Sequence, residues 1–239
     1  MSLFDMAMEY AQDVFRNIPG IKESQHLFDD LSADPLNWAA ANKIDEVTHP
    51  SLTKDSIIQR AFDYNKNDLI DYPFENLTVS RYNDGSLACW YGSETLKTTI
   101  YETVYHWLQY VNDAPEAFAG LKTLHVERRV GKVYCEGLAF DLTNKVENYP
   151  WLVDSNNYQL CQNLGRRVAQ EGHPLLRVPS AREKNGINIV AFKSKVLSRA
   201  RDYCYLHYKL DFTTMIPVVY RSEKPLSLDF APVPDSVLG

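Results

Sequence analysis

The sequence predicts an α+β fold with a mainly helical N-terminal extension. Strand-like runs come in blocks with few helices between them, which argues against a regular βαβ wind. Two segments, 94–111 and 155–171, carry apolar residues at helical spacing. The chain has 239 residues, 45% hydrophobic and 23% charged, enough to bury a sizeable core and too apolar for disorder.

In chain order, residues 2–17 read as an amphipathic helix. Leu3, Ala7, Tyr10, Ala11, Val14 and Ile18 share a face, Ser2 can cap, and Pro19-Gly20 stops it. Residues 21–55 are polar and broken by Asp34-Pro35 and His49-Pro50, so they read as loop and short helix. Residues 1–55 are therefore assigned to an extension and 56–239 to the main domain. Short strands are expected at 56–62 and 76–82, the second followed by the turn Asn83-Asp84-Gly85. Residues 87–91 suit a buried strand. In 94–111, Leu96, Ile100, Val104, Trp107, Leu108 and Val111 form one stripe, with Ser93 or Thr95 as cap. Residues 121–143 alternate around Val130-Gly131-Lys132, which reads as a hairpin and then a strand ending at Thr143. In 155–171, Tyr158, Cys161, Leu164 and Val168 keep helical spacing and Gly172 follows. Strands are expected near 175–178, 187–192, 203–212 and 215–221.

Composition excludes several functions. The net charge is −6, and an acidic surface repels phosphate backbones, so direct nucleic-acid binding is not expected. Arg128-Arg129, Arg166-Arg167 and Arg199-Ala200-Arg201 read as solvated faces rather than a basic patch. Cysteines 89, 135, 161 and 204 form no CxxC pair and lie in apolar stretches, as buried reduced thiols of a cytoplasmic protein do. No Sec-type leader and no membrane-length apolar run is present. The six histidines lack ligand spacing, so no metal is expected. GxGxxG, GxxxxGK[ST] and GxSxG are all absent.

Glu102 is the first residue that suggests chemistry. At 100° per residue it lies opposite the apolar stripe of 94–111, beside Thr95, Thr98, Thr99 and His106. Taken alone, that face reads as solvated surface; the alternative is a carboxylate aimed into a hydroxyl-lined cleft.

The surrounding segments decide for the cleft. Gln59-Arg60-Ala61, Ser80-Arg81-Tyr82-Asn83-Asp84-Gly85, Cys89-Trp90-Tyr91-Gly92-Ser93 leading to Tyr101-Glu102-Thr103, Val178-Pro179-Ser180-Ala181-Arg182 and Gly186-Ile187-Asn188-Ile189 stand in an order that resembles the RES-domain family over residues 56–195. The resemblance implies an ADP-ribosyltransferase-like split β core with flanking helices around an NAD-binding cleft. It implies an NAD-consuming toxin-like enzyme that cleaves the nicotinamide–ribose bond by hydrolysis or phosphorolysis, with NAD as substrate. The alternatives are transfer of ADP-ribose to a protein, and a catalytically inactive binding module. It also implies a partner antitoxin of helix-turn-helix type, or another protein partner. Glu102, Arg81 and Ser180 are then the catalytic candidates, and Arg60, Arg81, Tyr82, Tyr91, Ser180 and Asn188 the NAD-binding ones. A carboxylate suits the cationic ribose of the transition state. Guanidinium forks suit the diphosphate, and Tyr91 offers a flat wall for nicotinamide. Residues 1–55 have no counterpart in the family, and 110–137 reads as an expansion by an inserted hairpin.

Overall fold

The computed structural model describes residues 3–20 and 65–230. Its strands are β1 (Ala7–Pro19), β2 (Trp90–Ser93), β3 (Thr123–Asp141), β4 (Leu175–Pro179), β5 (Ile187–Ala191), β6 (Leu197–Asp211), β7 (Ile216–Arg221) and β8 (Lys224–Pro225). Its α-helices are α1 (Tyr72–Glu75), which continues a π-helical turn at Asn67–Asp71, α2 (Leu96–Asp113) and α3 (Gln159–Gln170). The fold is α+β. One mixed sheet runs β1-β2-β5-β4-β3-β6-β7-β8, and β1 also pairs with β3, so five strands close into a ring. The chain thus has a closed barrel-like part and a β6–β7–β8 ribbon that share β3. The long β3 pairs β6 over its first two-thirds and β4, in parallel, only at Ala139–Asp141.

Residues 7–19 correct the expected N-terminal helix. They form β1, antiparallel to β3 from Ala7↔Phe140 to Pro19↔Arg128, with one further pair, Phe15↔Ser93, to β2. Tyr10, Val14 and Ile18 are four apart. That spacing satisfies a helix and, being even, also keeps one face of a strand. Tyr10 and Val14 are buried in the barrel core with Leu69, Trp90 and Val133, and continuous pairing with β3 overrides the local helix preference of Ala7, Glu9, Ala11 and Gln12. The extension's first strand is thus integral to the sheet. The rest of the expected extension, and the strand expected at 56–62, lie outside the described residues.

Two more expectations are corrected. Residues 76–82 are not a strand; apart from one isolated bridge, Ser80↔Asn83, they form a loop. Leu77 and Val79 point outward, 51% and 70% exposed, so alternation there has no sheet to serve. The loop is tied instead by Asn83, whose amide donates to the carbonyl of Thr78 and whose Oδ1 accepts from Gly85 N. The hairpin expected at Val130-Gly131-Lys132 is absent; β3 runs straight through, with a register shift against β6 between Val130 and Gly131. Gly131 marks close packing, not a turn: a Cβ there would stand 2.3 Å from Leu69 Cδ1. The expansion at 110–137 is the end of α2, a 3₁₀ turn at Pro115–Phe118 and the first part of β3.

α2 forms as its stripe requires. Thr95 Oγ1 caps it by accepting from Thr98 N. Ile100, Val104, Trp107 and Val111 pack on Val130, Leu206, Tyr208 and Val219 of the sheet, each large side chain contributing about 1.5–3 kcal/mol by burial. α3 lies elsewhere, with Cys161, Leu164 and Val168 against Leu176, Val178 and Val190. No described helix is long and apolar enough to cross a membrane. Cys89, Cys135 and Cys161 are buried and Cys204 half-buried, all unpaired. Burial pushes the Cys89 and Cys135 thiols up to about 12, so both stay protonated at neutral pH.

Candidate active site

Between α2, β1, β2 and the loops around Arg81, Tyr158 and Arg182 lies a cleft of about 710 Å³. Glu102, half-buried on α2, is the one carboxylate among its described lining residues. Its Oε1 accepts from Ser180 Oγ at 2.6 Å and from Asn188 Nδ2 at 2.7 Å. No hydrogen bond from the described residues reaches Oε2. Asn188 is oriented by Ser93, whose hydroxyl donates to Asn188 Oδ1 at 2.7 Å. The antiparallel register that pairs Ser93 with Asn188 across β2 and β5 builds this chain.

Ser180 follows β4 and opens a tight loop. Its hydroxyl accepts from the amides of Arg182 and Glu183, and its own amide donates to Gly186 O at 2.8 Å. Glu183 is held to α2 by Thr98 Oγ1, which donates at 2.6 Å, and by Lys97. The loop therefore fixes the Ser180 proton on Glu102. Ser180 is 8% exposed and is not among the residues lining the cleft; it reaches the cleft only through its hydrogen bond to Glu102.

Arg81 stands on the cleft wall, its Nη1 donating to Asp154 O at 2.7 Å and its guanidinium 4.4 Å from the centre of the Tyr158 ring. Tyr91 holds this loop in place. Its hydroxyl shares a hydrogen bond with Ser80 Oγ at 2.8 Å and accepts from Tyr82 N at 2.9 Å. Burial pushes the Tyr91 phenol well up, so it stays protonated. Tyr91 is among the residues lining the cleft, and its hydroxyl ties the loop that carries Arg81. Tyr82 also borders the cleft but is 1% exposed, its ring packed in the core with Cys161 and Leu164. Arg60 lies outside the described residues.

Several further lining residues carry no role in the sequence reading, among them five that shape the wall. Arg16 and Asn17 come from β1; Tyr105, Tyr158 and Arg182 come from α2 and two loops. Asn17 ties β1 to α2 and β6 by donating to Thr103 Oγ1 at 3.0 Å and Tyr208 OH at 2.9 Å. The Arg182 guanidinium lies 3.3 Å over the Tyr105 ring and donates to Tyr158 OH at 2.9 Å. Arg182 follows Ser180 by two in the segment already singled out, so a signal existed. Arg16 would have stood out as a charge on the Tyr10–Val14–Ile18 face had 7–19 been read as a strand.

The electrostatics are lopsided. Arg129, Arg166, Arg167, Arg177 and Arg201 each pair with a carboxylate. Among the described residues, Arg16, Arg81 and Arg182 pair with none. A chain of net charge −6 thus builds a locally cationic cleft around one carboxylate, an arrangement suited to an anionic ligand that carries a site of developing positive charge. No cluster of three His, Cys, Asp or Glu that could hold a metal occurs among the described residues.

His106 lies one turn after Glu102 and also lines the cleft. Desolvation pulls its pKa below 6.5, opposed by Glu102 and reinforced by Arg182, Arg81 and Arg128. The imidazole is therefore neutral at pH 7. A depressed histidine pKa means that the folded state binds fewer protons than the unfolded one. Its stabilising contribution is full above pH 6.5 and is lost as pH falls from there through the folded value. The expected result is an NMR titration of His106 with its midpoint below 6.5; a midpoint at or above 6.5 contradicts the cationic surroundings described.

Comparison with known proteins gives a family and a structural likeness. The family model described as RES domain matches residues 56–211. Among solved structures, a chain of the crystal structure of the M. tuberculosis MbcT–MbcA toxin–antitoxin complex is similar, with a TM-score of 0.43 and 11% identity over 82% of this chain and 86% of that one. No curated protein matches.

Proposed function

The chain belongs to the RES-domain family, and from that premise we propose that it cleaves the nicotinamide–ribose bond of NAD and passes ADP-ribose to water or phosphate. The observation that carries the reading is Glu102. One of its oxygens accepts from Ser180 and Asn188, and the other meets no donor among the described residues, in a cleft whose described arginines pair with no described carboxylate. In the reaction the bond between ribose C1′ and the ring nitrogen breaks. Its electron pair goes to nicotinamide, which loses its pyridinium charge, and the ribose becomes cationic. Glu102 opposes that charge through Oε2, while the fixed donors at Oε1 hold the carboxylate in one orientation without reorganisation at the moment of reaction. Arg81 offers a guanidinium to the diphosphate. The acceptor oxygen then bonds to C1′ and releases its proton. Ser180 has no proton to spare for the substrate in this scheme; its contribution is the orientation of Glu102.

The test is incubation of purified protein with NAD, in buffers with and without phosphate, with chromatography of the products. The expected result is one nicotinamide per NAD consumed, the second product being ADP-ribose or its 1-phosphate. No nicotinamide in either buffer overturns the reading. Family membership also supports a protein partner of antitoxin type that covers the cleft, and co-purification of the full chain with such a protein, weakened by added NAD, is the corresponding test.

A further inference from the structure

We propose that Arg16, on a strand outside the residues that the family model matches, is an anion-binding residue of this cleft and contacts a phosphate of the substrate. The inference rests on the NAD-cleaving reading above. β1 ends well before residue 56, where the matched residues begin, yet it forms part of the cleft wall through Arg16 and Asn17. Its position is fixed by long-range pairing: Phe15 lies opposite Ser93, which puts the next residue beside the β2 segment that carries Tyr91.

The Arg16 side chain is only partly used. Nη1 donates to Tyr91 O at 2.7 Å, and the guanidinium stands 5.5 Å from the centre of the Trp90 ring. Nε is buried with no hydrogen-bond partner, and Nη2 meets none among the described residues. No described carboxylate pairs with it. The charge that presses on it is another cation, Arg128; burial, with that repulsion, pulls the Arg16 pKa down to about 10, still cationic at neutral pH. Arg128 itself cannot serve the ligand in the same way, because its Nε and Nη2 are spent on Asn17.

A half-buried guanidinium without a counterion is costly. Arg129 and Arg177, on β3 and β4, have two carboxylates each. Arg16 has none among the described residues, and its free Nη2 can donate to a phosphate oxygen. Binding of a phosphorylated nucleotide supplies the missing anion, so part of the cost of burying Arg16 is returned as affinity.

The test is calorimetric binding of ADP-ribose to the wild-type full chain, Arg16→Gln and Arg16→Met, at several salt concentrations. The methionine variant keeps an unbranched stem against Trp90 in case the glutamine variant does not fold. The expected result is affinity at least tenfold weaker than wild type at low salt, with a flatter dependence on salt because one ionic contact is gone. A merely structural role would lower the melting temperature and leave the salt dependence unchanged. Affinity within twofold of wild type in either folded variant, or weakening with the wild-type salt dependence, overturns the proposal while leaving the NAD reading standing. A wild-type protein that neither binds ADP-ribose nor releases nicotinamide overturns both.

Discussion

Replacing Glu102 with Gln is expected to slow nicotinamide release from NAD by about 10²–10³-fold, the range for loss of one preorganised electrostatic contact in a closed site, while the protein remains folded. Both donors that hold the carboxylate converge on a single oxygen. A glutamine carbonyl accepts from Ser180 and Asn188 equally well, and its amide group then takes the place of Oε2. Shape and orientation are kept, and the one negative charge among the described lining residues is removed. Arg16, Arg81 and Arg182 remain, so binding of the dinucleotide persists and KM stays level or falls. The loss therefore appears in kcat. Glu102→Ala is a poorer probe, because it leaves the buried Ser180 hydroxyl and the half-buried Asn188 amide without their acceptor and costs about 1–3 kcal/mol of stability. Steady-state kinetics of Glu102→Gln with kcat within threefold of wild type would contradict a role for the charge.

Gly165→Ala is expected to destabilise the protein by about 3 kcal/mol or more, at or beyond the usual range for overpacking. Gly165 is buried on α3, and a Cβ built there stands 2.0 Å from Tyr82 O and 2.9 Å from Tyr82 C. Both obstacles are backbone, so no side chain can swing away. Either α3 lifts from the sheet or the loop carrying Arg81 and Tyr82 moves. That loop is tied to Tyr91 OH through Tyr82 N and to α3 through Gln162 Nε2, which donates to Ser80 O at 3.1 Å. Relief of the clash therefore displaces Arg81 as well, and activity falls further than the unfolded fraction accounts for. Urea unfolding measures the first effect through its midpoint. A loss below 1 kcal/mol with full activity would show that the loop yields freely.

The regular helices were legible because their information is local. α2 follows from Leu96, Ile100, Val104, Trp107 and Val111, and Glu102 lies on its polar face, toward the cleft. The short strands β4, β5 and β7 also fall where apolar runs end at turn residues. β1 was not legible, since a four-residue apolar spacing serves both periods and only its pairing with β3 decides. Gly131 was misread for a similar reason: a glycine that makes room for Leu69 looks, in sequence, like one that makes a turn. In the site, Glu102, Arg81, Tyr91 and Asn188 line one cleft, with Ser180 just behind Glu102. What sequence order left out is the wall built by distant segments. Arg16, Tyr158 and Arg182 are far apart in the chain and meet only because the sheet closes on itself. The order of motifs brings Glu102, Ser180 and Asn188 into one hydrogen-bonded group, whereas strand pairing adds Arg16 to the cationic wall around it.

The most direct test of a carboxylate-centred dinucleotide cleft is a crystal structure of the Glu102→Gln variant with NAD, in which slow turnover preserves the substrate. The expected structure has the nicotinamide ribose beside residue 102 and the diphosphate against Arg81, with a phosphate oxygen in reach of Arg16. NAD bound elsewhere on the protein, or a cleft left empty at saturating NAD, would contradict it.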